Sequence, residues 1–162
     1  MLKQDRVLSL SRAGKIVLGQ AYLDTPADSR SRRLATGSHL LSNGSRSYLC
    51  LELGSAPEWF PEYDLDLGAA TDALPASAGA FRLPSGLYRR RFERGVVLVN
   101  PTDASISVSA ASVAGAGAWD LASFSGGGAL PSNADVSGMR IDRTATTDIT
   151  VPAHDAAFLL SR

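Results

Sequence analysis

Residues 15–54 read KIVLGQAYLDTPADSRSRRLATGSHLLSNGSRSYLCLELG. Two apolar runs, 15–23 and 47–53, lie on either side of a polar segment that favours a helix over about residues 29–42. A continuous apolar run beside a helix is typical of a strand buried on both faces of a parallel sheet. The segment therefore predicts a strand–helix–strand crossover.

This crossover needs neighbours in order to bury its apolar runs. A short helix predicted for residues 2–13 adds some cover, but two strands and two helices do not close a core of their own. Further strands on both sides of the pair are therefore expected. The chain's single cysteine, Cys50, lies within the second run. That position predicts a buried, unreactive thiol.

From about residue 81 the pattern changes to apolar–polar alternation with frequent turns. Such alternation is typical of short antiparallel strands that bury one face. We predict an antiparallel β-sandwich over 81–162, preceded by a linker over 69–80, with a flexible glycine-rich loop over 125–138. The expected strands are 87–93, 96–100, 106–110, 148–151 and 156–160. The predicted fold class is α+β, a strand–helix–strand segment followed by a small sandwich.

Length and charge exclude several classes of protein. The chain has 162 residues, with 16 basic and 16 acidic side chains, and a complete eight-stranded α/β barrel needs about 250. Zero net charge argues against nucleic acid or an anionic membrane surface as a partner. No apolar stretch approaches the ~20 residues of a membrane span, and no signal-peptide pattern is present, so a soluble chain is expected. The localisation of a larger parent stays open.

The same residues predict neither a metal site nor a bound cofactor. One cysteine and two distant histidines, His39 and His154, follow no ligand spacing. Gly126–Gly128 lacks the Lys-Ser/Thr that follows the glycines of a phosphate loop.

Three stretches resemble a known family. Residues 88–102, YRRRFERGVVLVNPT, resemble the hairpin Y-R-R-x-F-x-x-G-x-V-x-V-N-P of glycoside hydrolase-like proteins. Residues 151–160, VPAHDAAFLL, are similar to the closing strand pair of their sandwiches. Residues 57–68, PEWFPEYDLDLG, resemble the segment after their last barrel strand. The chain thus resembles the C-terminal part of hypothetical glycosyl hydrolase family 15-like proteins.

The resemblance implies that residues 1–68 are the end of a (β/α)8 barrel and that the ligand is a carbohydrate. In such barrels the acid and the nucleophile or base usually lie on earlier strands. The implied partner is therefore the missing N-terminal half of the barrel. This chain alone is expected to lack the catalytic pair.

Two polar residues stand near the ends of the predicted parallel strands, where barrel active sites form. Glu52 is a candidate to bind a sugar hydroxyl or to serve as one member of a catalytic pair. It could equally pair with an arginine or turn to solvent. Gln20, near the end of the preceding strand, could exchange hydrogen bonds with a hydroxyl, or be a satisfied amide beneath the loops.

The loop over residues 56–68, called the aromatic loop below, combines rings and carboxylates. Its rings could present a flat surface to a pyranose, and its acids could bind hydroxyls beside it. The alternatives are a plug of the barrel rim, which we favour for Phe60, and solvated rim charge. Its candidate sugar-binding residues are Glu58, Trp59, Glu62 and Tyr63.

Two other functions stay open: a non-catalytic carbohydrate-binding or adhesion module that uses the aromatic loop, and a purely structural sandwich that caps the barrel. Arginines 89–91 are expected to pair with nearby acids such as Glu93, with Arg90 on the opposite face of the strand. Asn100 is expected to bond the backbone of its own turn.

Overall fold

The computed structural model describes residues 2–54 and 57–162. Met1, Ser55 and Ala56 lie outside the described residues. Ala56 is the first residue of the aromatic loop, so the loop is described from residue 57 onward. The described residues combine helices, one parallel strand pair and antiparallel strands, which confirms the α+β class.

The helices are α1 (Leu2–Arg12), α2 (Ser29–Ser42) and α3 (Ala110–Ala114), with 3₁₀ turns at Pro61–Asp64 and Ala78–Phe81. The strands are β1 (Val17–Tyr22), β2 (Ser47–Glu52), β3 (Glu58–Trp59), β4 (Tyr88–Phe92), β5 (Gly95–Asn100), β6 (Ile106–Ser109), β7 (Trp119–Ser125), β8 (Gly128–Ala129), β9 (Arg140–Thr146), β10 (Asp148–Val151) and β11 (Asp155–Ser161).

The predicted crossover is confirmed. Strands β1 and β2 pair in parallel, in a register that runs from Val17 opposite Ser47 to Tyr22 opposite Glu52. The connecting helix α2 begins after Asp28, whose carboxylate accepts a hydrogen bond from the Ser31 amide at 3.0 Å. That bond satisfies one of the free amides at the start of the helix.

The expectation that these strands are buried on both faces is wrong. Burial alternates along β1, and along most of β2, because α2 covers only one face of the pair. On the other face Leu18 is 77% exposed, Tyr22 75% and Tyr48 58%. Cys50 lies on this same face and is exposed, so the prediction of a buried thiol is also wrong.

The second half of the chain is built on a five-stranded antiparallel sheet in the order β4-β5-β11-β7-β9. The predicted hairpin and the closing strand form its β4, β5 and β11, and the predicted strands at 106–110 and 148–151 correspond to β6 and β10, which pair with each other. Strands β7 and β9 and helix α3 were not expected. They lie within residues 110–146, where the alternation of apolar and polar residues is weak.

Helix α2 lies between the parallel pair and the five-stranded sheet. Its Leu41 packs with Val97 and Phe158 on one face of that sheet, while Ala35 packs toward Leu51 of β2. The opposite face of the sheet buries its apolar residues against β10 and α3. The approach of α2 is close: a Cβ added at Gly37 would lie 2.5 Å from the Ala156 side chain.

Polar contacts also hold α2 to the sheet. The Arg90 guanidinium donates to the carbonyl oxygens of Leu40 at 2.7 Å and Asn43 at 2.9 Å, at the C-terminal end of α2. It also lies over the Phe92 ring. The expectation that Arg90 pairs with a nearby acid is therefore wrong, since helix-end carbonyls without an intrahelical partner bind it instead.

Candidate functional site

The ends of β1 and β2 bring two predicted site residues together. Gln20 and Glu52 lie on the exposed face of the parallel pair, where the register places Gln20 opposite Cys50 and Glu52 opposite Tyr22. The Gln20 amide nitrogen donates a hydrogen bond to Glu52 Oε2. A carboxylate and an amide side by side can accept from and donate to neighbouring hydroxyls of one ligand.

The surroundings of this pair are apolar. Leu18 and Tyr48 lie below it on the same face, and with Cys50 and Gln20 they line a depression of about 310 Å³. Rings and aliphatic carbons next to a few polar groups are the usual composition of a small-molecule site. The sequence did not lead us to predict this exposed face of β1 and β2. Gln20 and Tyr22, at alternate positions of β1, were the sign that the two sides of the strand differ.

Glu58 is held at the end of β2. Its Oε2 accepts a hydrogen bond from the Leu53 amide at 2.8 Å, directly after the last residue of that strand. The bond uses one oxygen of the carboxylate to hold the backbone that leaves β2. The orientation of the Glu58 carboxylate is therefore fixed by the backbone directly after β2.

Trp59 is partly exposed and its indole is oriented by two neighbours. Its Nε1 donates to Asp64 Oδ2 at 3.0 Å, and the edge of its ring system meets Tyr63 with centroids 5.3 Å apart. Phe60, next along the chain, is completely buried under Arg32, whose guanidinium carbon lies 5.3 Å from the ring centroid. The two adjacent rings thus occupy different environments.

The glycine-rich segment of the second half joins this end of the parallel pair. Trp59 pairs in β3 with Gly128 of β8, and the Leu130 amide donates to the Pro57 carbonyl at 2.8 Å. Arg32 donates to the Gly126 carbonyl at 2.7 Å. The predicted flexible loop over 125–138 therefore contains a short paired strand, and the buried Arg32 holds it in place.

Glu62 and Tyr63 lie apart from Gln20 and Glu52. Glu62 is buried 3.0 Å from Arg32 Nε, and burial raises the pKa of its carboxyl group. The Tyr63 hydroxyl accepts from the Leu51 amide at 2.6 Å, and burial raises the pKa of this phenol. These two side chains contact the covered side of β2, whereas Gln20 and Glu52 occupy its exposed side.

The described residues bring no three histidine, cysteine, aspartate or glutamate side chains together in a group that could hold a metal ion. Within residues 2–54 and 57–162, no helix has the length and apolar character needed to cross a membrane. No protein-family model and no curated protein matches this sequence.

Proposed function

We propose that this chain is the C-terminal portion of a carbohydrate-active, glycoside hydrolase-like protein and supplies sugar-binding residues to a barrel completed by other strands. The observation that carries the proposal is the Gln20–Glu52 pair on an uncovered face of a parallel strand pair. Active sites of α/β barrels form at the C-terminal ends of their strands, where these two residues lie.

The open parallel pair supports the need for further strands. Among the described residues β1 pairs only with β2, and one face of the pair exposes Leu18, Tyr22 and Tyr48. Parallel sheets are normally covered on both faces, because exposed apolar strand residues are costly in water. In this proposal additional strands extend the sheet beyond the outer edge of β1, and the exposed face becomes the interior of the barrel.

Each polar residue has a role in this arrangement. Glu52 and Gln20 bind hydroxyls of the sugar, Glu58 binds a further hydroxyl from the loop after β2, and the partly exposed Trp59 packs against the apolar face of a pyranose. Hydrolysis of a glycoside normally needs two carboxyl groups on either side of the bond. The hydrogen bond from the Leu53 amide fixes the orientation of the Glu58 carboxylate and engages one of its oxygens. We therefore propose that this chain alone binds the sugar without hydrolysing it.

A titration tests the binding role. Trp119, the second tryptophan, is replaced by phenylalanine so that Trp59 alone reports, and oligosaccharides of several linkages are added while fluorescence is followed. Saturable quenching that is weakened in Glu52→Gln and Gln20→Ala supports the proposal. A signal that none of the sugars changes, in a chain shown to be folded, contradicts it.

The completed barrel needs its own experiment. The chain is expressed with and without the polypeptide encoded upstream in the same reading frame, and hydrolysis of aryl glycosides is measured for both. Activity only in the combined form supports a shared active site. If the upstream region encodes no strand-forming segments that end in acidic residues, this part of the proposal loses its basis.

A further inference from the structure

Strand β9 forms an open edge of the five-stranded sheet. It stands last in the order β4-β5-β11-β7-β9 and pairs with β7 along all of its residues, Arg140–Thr146, in an unbroken register. In the described part of the chain no strand pairs with its other side. At the opposite end of the sheet, Ala70 and Arg82 form bridges to β4. A straight, unpaired edge such as that of β9 is a template for a further strand.

Alternate residues of β9 turn their backbone groups toward this open side. The Arg162 amide donates to the Ala118 carbonyl at 3.2 Å, so the even-numbered residues of β7 face β11 and the odd-numbered ones face β9. The register pairs each odd-numbered residue of β7 with an even-numbered residue of β9. Because hydrogen-bonded positions alternate along an antiparallel strand, the outward-facing amides and carbonyls of β9 belong to Ile141, Arg143 and Ala145.

The same edge carries both signs of charge on one face. Arg140 and Asp142 stand two positions apart, so their side chains lie on the same side of the sheet. Both residues are exposed, and among the described residues neither forms an ion pair. The Asp142 carboxylate accepts only a long contact of 3.5 Å from the Ser125 hydroxyl. Charges on an edge normally discourage pairing, but an edge with both signs can match a second copy that runs antiparallel to it.

Only one central register of such a self-pairing matches opposite charges. Two copies related by a two-fold axis pair their outward-facing residues with each other. An axis at Asp142 places that carboxylate opposite itself, and an axis at Arg143 does the same with the guanidinium. With the axis at Ile141, Arg140 of each copy lies opposite Asp142 of the other. These are non-hydrogen-bonded positions, where side chains approach most closely.

The chain on either side of Ile141 leaves room for this register. The pairing covers residues 139–143 and ends before Thr147, whose carbonyl already accepts from the Ala110 amide at 2.8 Å. At its other end the Met139 amide donates to the Val136 carbonyl at 2.8 Å, so the chain turns away from the edge there. The free amides of Ile141 and Arg143 would then donate to the Ile141 and Met139 carbonyls of the second copy.

We propose that this chain forms a two-fold symmetric dimer in which the β9 edges pair antiparallel about Ile141, with Arg140 of each copy opposite Asp142 of the other. The two five-stranded sheets then become one continuous sheet. The dimer goes beyond the proposed function and uses none of its sugar-binding residues, so either can fail without the other. Because the paired segment is short beside stable protein interfaces, we expect a dissociation constant on the order of 100 μM.

Charge reversal tests the register. The dissociation constant of the full chain is measured by sedimentation equilibrium from about 10 μM to about 1 mM, a range that spans weak association. Arg140→Asp and Asp142→Arg each place like charges in both cross-strand pairs, so each is expected to weaken the dimer roughly tenfold or more. The first variant carries two acids at these positions and the second carries two bases. An equimolar mixture of the two variants is therefore expected to restore association.

Two matched variants control for the change in net charge. Arg46→Asp and Asp24→Arg make the same charge changes at exposed positions outside β9. We expect each of them to leave the dissociation constant unchanged. Circular dichroism of all four variants confirms that each is folded.

Amide hydrogen exchange locates the pairing. The amides of Ile141 and Arg143 are expected to exchange more slowly as the protein concentration rises, because they are bonded only in the dimer. The amide of Asp142 faces β7 and is expected to be protected at every concentration.

Several results overturn the proposal. A chain that stays monomeric at about 1 mM has no such dimer. A mixture of Arg140→Asp and Asp142→Arg that associates no better than either variant alone removes the assigned register. A dimer that Leu18→Glu abolishes and Arg140→Asp leaves intact lies on the exposed face of β1 and β2 instead.

Discussion

Arg33 on α2 and Asp155 at the start of β11 form a two-point ion pair, with Nε 2.9 Å from Oδ1 and Nη2 2.6 Å from Oδ2. The Asp155 side chain is buried, whereas the Arg33 side chain stays about a quarter exposed. The pair links the helix of the parallel segment to the five-stranded sheet. Planar guanidinium–carboxylate contacts of this kind fix orientation as well as distance.

We expect Asp155→Asn to lower the free energy of unfolding by about 2 kcal/mol. Removing one partner of a buried pair leaves the other without its counter-charge, at a cost of roughly 3–5 kcal/mol, and the partial exposure of Arg33 reduces this. Urea denaturation followed by circular dichroism measures the change. Asp24→Asn, at an exposed aspartate, is the control. A loss no greater than that of the control contradicts the prediction.

Gly37→Ala tests the contact between α2 and the sheet. In an exposed helix this change stabilises by about 1 kcal/mol. Here the new Cβ would meet the Ala156 Cβ at 2.5 Å and Val99 Cγ2 at 3.0 Å, and overpacking of a core costs roughly 1–3 kcal/mol. We therefore expect net destabilisation by about 1 kcal/mol in urea denaturation. Arg30→Ala, at an exposed position of the same helix, is the control for a change that makes no contact with the sheet. A stabilised Gly37→Ala would show that α2 shifts freely on the sheet.

The features that the sequence predicted correctly are encoded within short segments. The crossover over residues 15–54 follows from two apolar runs around a helical pattern, and β4 and β5 follow from two strand-forming runs about a tight turn. Asn100 bonds the Thr102 amide in its own turn, as expected. It also donates to the Val151 carbonyl, a contact between distant residues that no local pattern contains.

The features that the sequence did not predict depend on distant parts of the chain. Arg90 binds the end of α2 nearly fifty positions away, and β8 pairs with β3 across about seventy positions. The exposed face of β1 and β2 is another case, because an apolar run shows how much surface could be buried but not whether a neighbour is there to bury it. The predicted site residues are separated in the structure for the same reason: Glu52 and Glu62 are close in sequence but lie on opposite sides of β2.

Acid pH is expected to destabilise the chain through His39. The folded state holds the pKa of this imidazole at about 4, below its ordinary value of 6.5, because the ring is buried and lies near Arg90. The unfolded chain therefore binds the proton first as the pH falls. Stability contributed by neutral His39 is full above about pH 6.5 and is lost progressively down to about pH 4, by about 3 kcal/mol in total.

Glu62 opposes this trend. Burial raises the pKa of its carboxyl group, so the folded state takes up that proton more readily than the unfolded chain, and acidification through this range favours folding. The two contributions are separated by His39→Gln, which is expected to flatten the pH dependence of the unfolding midpoint. An unchanged profile in His39→Gln assigns the acid sensitivity to other groups.

Cys50 is expected to react with a maleimide in the native state at a rate close to that of the urea-unfolded chain. Its thiol lies on the uncovered face of β2, and no strand or helix among the described residues shields it. Mass spectrometry of timed samples gives both rates. If the native thiol is protected many-fold, a second copy or another strand covers this face in solution, and the assignment of an open face to the isolated chain is wrong.

The contrast between Leu18 and Leu51 tests how the two faces of the parallel pair differ. Leu51 is 1% exposed and packs with Leu23 and Phe60, so Leu51→Ala is expected to cost about 3 kcal/mol of unfolding free energy. Leu18 is 77% exposed on the other face, so Leu18→Ala should change stability by less than about 0.5 kcal/mol.

Leu18→Ala should nevertheless reduce the binding of anilinonaphthalene sulfonate, since the dye adsorbs to exposed apolar surface. Urea denaturation and dye fluorescence of the same two variants give both quantities. Equal losses of stability at Leu18 and Leu51 would mean that both faces are buried, and with that the argument for additional strands on the open face would fail.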